Sequence, residues 1–98
     1  MENPLQVIID ADPELAGLIG KTSETALSQG AIPLKYKFLI AMALDAADGA
    51  SDGVRMLAMQ AMSEGATKEE IMEAVRIAHY ITGVGSVYTA ANGLKGIL

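Results

Sequence analysis

Apolar residues recur along this chain at helical rather than strand spacing. Asp12-Pro13-Glu14 reads as an N-cap, a first-turn proline and a first-turn acid. Leu15, Leu18, Ile19 and Ala26 then share one face before Gly30, which predicts a helix of about four turns. Pro33 opens a different segment: Phe38 to Leu44 is apolar on every face, with Lys35, Lys37 and Asp45 at its ends. A helix with no polar face has to be surrounded.

After Asp48-Gly49, Ser51 or Asp52 is placed to cap a helix whose Val54, Leu57, Ala58, Ala61 and Met62 fall at i, i+3, i+4, i+7 and i+8. Thr67 and Glu70 stand at capping-box spacing ahead of Ile71, Ala74, Val75 and Ala78. Ile77, Tyr80 and Ile81 lie off that stripe, so the second half of this helix is expected to be covered on two sides. Ser86 to Leu98 reads as helix interrupted by Gly93 and Gly96. Ala26-Leu-Ser-Gln-Gly-Ala31 is echoed 35 residues later by Ala61-Met-Ser-Glu-Gly-Ala66. The echo suggests either two similar helical hairpins or two unrelated glycine-terminated helices. The expectation is an all-α fold of about five or six helices, with residues 1–98 as a single small domain.

Composition narrows the function classes. The chain has 98 residues, 7 basic against 12 acidic, one His and no Cys, and 51% of it is hydrophobic. A domain this small buries only roughly 65% of the surface it exposes when unfolded. The surplus of apolar residues therefore points to a homo-oligomer joined through the third and fifth helices. Without Cys there is no disulfide, thiol nucleophile or thiolate metal site. Few and scattered basic residues argue against nucleic acid. The longest apolar run, seven residues from Phe38 to Leu44, falls far short of the roughly 20 a membrane span needs. The Met-Glu-Asn start lacks the pattern of a signal peptide, so the expected location is the cytoplasm.

The candidate chemistry is sparse. His79 is the single histidine, the residue type suited to general acid or base work near neutral pH, and it projects about 80° from the Ile71 stripe. Lys37 could hold a carboxylate, and Tyr80, like Tyr36 and Tyr88, offers a phenol. The bland alternatives are a hydrogen-bonded boundary His, an ion-paired first-turn Lys and packing tyrosines. Asp45, Asp48 and Asp52 match no EF-hand loop and supply too few ligands for a tight cation site. Gly83-Val-Gly85 lacks the strand and third glycine of a dinucleotide fingerprint and reads as a bend. Met56, Met59 and Met62 suit a core or a subunit seam. No metal or cofactor is expected.

Pro33-Leu-Lys-Tyr-Lys-Phe-Leu39, followed by Gly65-Ala-Thr-Lys-Glu-Glu-Ile71, Glu73-Ala74 and Gly83, resembles the carboxymuconolactone decarboxylase and alkylhydroperoxidase D family over about residues 10–94. The resemblance implies a small helical domain assembled as a trimer or hexamer. In the redox branch, the family's spacing back from Gly65 places its two Cys at Ala50 and Gly53, its His at Leu57 and its Glu at Phe38. The decarboxylase branch also has a His where Leu57 stands, and a Tyr where Ile81 stands. A peroxidatic dithiol needs a thiolate, a resolving thiol and a proton shuttle, and these four residues supply none. Two readings follow from the resemblance. One is a non-catalytic or divergent member serving as a homo-oligomeric scaffold. The other is a small-molecule-binding enzyme that uses Lys37 and His79, with Tyr80 nearby, on a carboxylate-bearing substrate.

Overall fold

The computed structural model describes residues 3–98, and these form six α-helices and no strand. They are α1 (Gln6–Ala11), α2 (Pro13–Leu27), α3 (Leu34–Ala47), α4 (Ser51–Ser63), α5 (Lys68–Thr82) and α6 (Gly85–Leu94).

Local signals set most of the boundaries. Asp12 Oδ1 accepts a hydrogen bond from the Leu15 N–H at 3.1 Å, and Pro13 fills the first position of α2, where its missing N–H costs nothing. At the start of α5 the capping box is closed in both directions. Thr67 Oγ1 accepts from the Glu70 N–H at 3.1 Å, and Glu70 Oε1 accepts from the Thr67 N–H at 2.9 Å.

Helices α3 and α4 end in the same backbone motif. Ala50 N–H donates to the Asp45 carbonyl at 2.9 Å and Gly49 N–H to the Ala46 carbonyl at 3.4 Å; after α4, Ala66 donates to Ala61 at 2.9 Å and Gly65 to Met62 at 3.0 Å. These paired bonds need the next residue in the left-handed region, and Gly49 and Gly65 adopt φ of 80° and 97°.

This corrects two expectations. Neither Ser51 nor Asp52 caps α4: the chain leaves the Gly49 turn so tightly that both already lie inside the helix, behind Ala50 at the N-cap, which makes no side-chain bond. Nor does the echo between residues 26–31 and 61–66 mark a structural repeat. The C-cap of α2 is Ser28 in extended conformation, and Gly30 is not among the glycines with positive φ.

Helices α3 to α6 enclose one core: Phe38, Leu39, Met42 and Ala46 from α3, Val54, Ala58 and Ala61 from α4, Ile71, Val75 and Ala78 from α5, and Ala90 and Leu94 from α6. Much of it is alanine, so the helices pack closely. Gly93 takes this furthest. It does not interrupt α6 but lies buried within it, where a β-carbon would come within 2.6 Å of the Ser51 carbonyl oxygen and 2.8 Å of Val54. Arg55 then closes the end of α6, donating to the carbonyls of Lys95 at 2.6 Å and Gly93 at 3.3 Å.

The remaining two helices stand apart. α1 packs on α2, α2 touches α3 only lightly, and neither has a buried residue. The Leu15/Leu18 side of the α2 stripe faces outward. α3 is not surrounded either, since Ile40 and Leu44 are exposed. The chain exposes 6715 Å², whereas a compact monomer of 10.2 kDa exposes about 5,300 Å². Its radius of gyration is 14.2 Å, against about 12.6 Å for a compact chain of this length.

Candidate functional site

Two places could carry chemistry: the start of α4, with the helix turns beside it, and the groove between α3 and α5.

At the first, the backbone is arranged as a reactive dithiol would need, at the N-terminal end of a helix, but the side chains are absent. Ala50 is the N-cap and Gly53 lies in the first turn. Leu57 packs against the core that contains Phe38. The carboxylate of half-buried Asp45 occupies the space a β-carbon on Gly53 would fill. Any larger residue at 53 has to displace it. The sequence offered Asp45 only as a member of the rejected Asp45/Asp48/Asp52 cation cluster, and it held no signal that pairs Asp45 with Gly53.

The second place is an open apolar groove of about 590 Å³. Its walls are Leu39, Ile40 and Leu44 of α3 and Ala74, Ile77 and Ile81 of α5. Ile40, Leu44, Ile77 and Ile81 are 51%, 65%, 64% and 71% exposed. Polar groups sit at the edges. Lys35 Nζ lies 3.1 Å from Glu70 Oε2, joining the first turns of the two helices, and Nζ also stands 4.7 Å over the Tyr36 ring. Glu70 is held below the usual carboxylate range, first by the Thr67 N–H and then by Lys35. The same pairing raises the Lys35 ammonium above the ordinary lysine value. Glu73 and Thr82 complete the rim.

The sequence-nominated residues lie elsewhere. Lys37 Nζ donates to the Ser28 carbonyl at 2.8 Å and so ties the α2–α3 loop to α3. His79 is exposed, and it sits roughly 13 Å further along α5 than Glu70 at 1.5 Å per residue. Tyr80 is 86% exposed. None of the three lines the groove. Met56, Met59 and Met62 form an exposed ridge on α4. Among the described residues no three acidic or histidine side chains gather as a metal site, and no helix is long and apolar enough to cross a membrane.

The sequence profile of the carboxymuconolactone decarboxylase family matches residues 13–95. The chain belongs to that family. The fold agrees. A crystal structure of the apo form of a carboxymuconolactone decarboxylase family protein from Legionella pneumophila superposes with a TM-score of 0.86 at 31% identity, covering 93% of this chain and 81% of that one. No curated protein matches. In this family member, the helices α2 to α6 lie within the matched region, while the α2 N-cap Asp12 and helix α1 lie before it.

Proposed function

We propose that this carboxymuconolactone decarboxylase family member is a redox-inactive, homo-oligomeric helical scaffold. The observation that carries the assembly is the area: the chain exposes roughly 1,400 Å² more than a compact monomer of its mass. A standard interface needs about 800 Å² from each partner. Exposed apolar side chains contribute to it, among them Leu15 and Leu18 of α2, Ile40 and Leu44 of α3 and Ile77 and Ile81 of α5. The loss of redox chemistry rests on Ala50, Gly53, Leu57 and Phe38, which can neither attack, resolve nor shuttle a proton.

Native mass spectrometry of the purified protein tests this reading. The expected result is a discrete oligomer, a trimer or hexamer, with no retained small molecule and no dithiol-linked turnover of an alkyl hydroperoxide. A monomer at micromolar concentration overturns the scaffold, and turnover overturns the redox inactivity.

The apolar groove favours a second reading, binding of a small apolar or carboxylate-bearing molecule, with Lys37 and His79 as the nominated polar contacts. It ranks second because neither side chain lines the groove. A stoichiometric ligand mass in the same spectrum would put it first.

A further inference from the structure

Two apolar surfaces are left without a partner in the chain, one on a helical arm and one in a groove. One is convex: the arm formed by α1 and α2, in which no residue is buried and Leu15 and Leu18 point outward, with Ile19 half-buried beside them. The other is concave: the groove between α3 and α5. The arm does not cover its own groove, since no residue of α1 or α2 lines it.

We propose that the α1–α2 arm of one copy lays its apolar stripe in the α3/α5 groove of a second copy. The inference rests on the homo-oligomer reading above and adds which surfaces meet. Helix-in-groove recognition uses anchors at i, i+3 and i+4, the spacing of Leu15, Leu18 and Ile19. A groove facing another groove would enclose a void and leave both arms exposed. A small molecule filling about 590 Å³ would cover the groove and also leave the arm exposed. The arm in the groove covers both surfaces with a single kind of contact, and the excess of roughly 1,400 Å² is large enough for an interface of about 800 Å² per partner. Charge is consistent with this. Lys21 lies on the Leu18 flank of α2, about 60° round the helix, and Glu73 stands on the groove rim; neither is paired among the described residues. Reciprocal exchange of arms closes a dimer, and head-to-tail exchange closes a ring. Either leaves no groove open.

The chain has no cysteine, so a thiol cross-link reports only introduced positions. Leu18→Cys and Ile77→Cys are made in separate full-length chains carrying tags of different length. Both sites are exposed in the folded chain, at 59% and 64%. The chains are expressed alone and together and treated with a short bis-maleimide. Leu15→Cys and Ile40→Cys form a second pair, so that a small shift in register does not hide the contact. Circular dichroism melts confirm that each variant is folded. The expected result is a cross-linked species joining one chain of each tag, abundant only on co-expression. Arm-to-arm or groove-to-groove products, or no product from an oligomeric wild type, overturn the pairing and leave the assembly standing. A monomeric wild type overturns both.

Discussion

Asp45 on α3 and Gly53 on α4 share one space: the Asp45 carboxylate stands where a β-carbon on residue 53 would be. Asp45 is half-buried and can leave only by rotating its side chain. Replacing a helical glycine by alanine ordinarily stabilises by about 1 kcal/mol. At this position the displaced carboxylate offsets that gain, so Gly53→Ala is expected to change stability by less than about 1 kcal/mol. In Asp45→Ala the same substitution should recover its full benefit. A double-mutant cycle by urea unfolding reads the coupling. Additive single effects would mean that the two side chains do not compete.

Gly93 meets harder neighbours. Its missing β-carbon faces the Ser51 carbonyl oxygen and the Val54 β-carbon, part of a fully buried residue, and a backbone atom cannot swing aside. Gly93→Ala is expected to destabilise by about 1–3 kcal/mol, the usual range for overpacking. A lower urea midpoint at unchanged m-value checks it. A neutral result would mean that α6 can move away from α4 at little cost.

These two glycines also mark where the sequence stops being legible. The caps at Asp12 and at Thr67/Glu70 could be read directly, because donor and acceptor lie within three residues of each other and need no tertiary context. The stripe on α5 was read correctly for the same local reason: Ile71, Val75 and Ala78 are buried. The cap of α4 was misread because a backbone turn at Gly49, rather than the hydroxyl of Ser51, sets the start of that helix. Gly93 looked like a break because a sequence cannot show that another helix occupies the place its β-carbon would take. The Asp45–Gly53 contact is likewise tertiary. On α2 the stripe was legible as a helix face, but Leu15 and Leu18 on it stay exposed in the folded chain, which periodicity alone cannot show. Lys37 was nominated as a group able to hold a carboxylate, yet its ammonium is taken up by the Ser28 carbonyl nine residues earlier.

The start of α5 carries a pH dependence whose sign is fixed. Glu70 is held below its ordinary value of 4.5, so the folded state favours its ionised form. Its contribution is complete above the unfolded value and is lost as pH falls through the folded one. Lys35, raised above 10.5, loses its contribution only as pH rises through that higher value. Between pH 7 and pH 3 the wild type should therefore lose more stability than Glu70→Gln, measured by urea unfolding at each pH. Thr67→Ala removes the reciprocal cap and is expected to cost about 1 kcal/mol at neutral pH. Parallel pH profiles for wild type and Glu70→Gln would show that this carboxylate is not the acid-sensitive group.

Ile77 separates a free surface from a seam. It projects from α5 into the groove and is 64% exposed in the single chain. If the protein worked as a monomer, Ile77→Asp would change its stability by no more than about 0.5 kcal/mol, as for an ordinary surface substitution. In the assembly the new carboxylate would be buried against apolar groups with no partner, a costly arrangement that dissociation relieves. Ile77→Asp is thus expected to shift the protein to a smaller species in light scattering. It should also lower the melting temperature more at high protein concentration than at low, because the stability contributed by assembly grows with concentration. Arg76→Glu, a charge change at the neighbouring exposed position that does not line the groove, provides the control and should leave the assembly intact. An Ile77→Asp variant that kept both its mass and its melting temperature would establish that this face stays open to solvent, and the assembly would have to be sought on the Met56/Met59 ridge of α4.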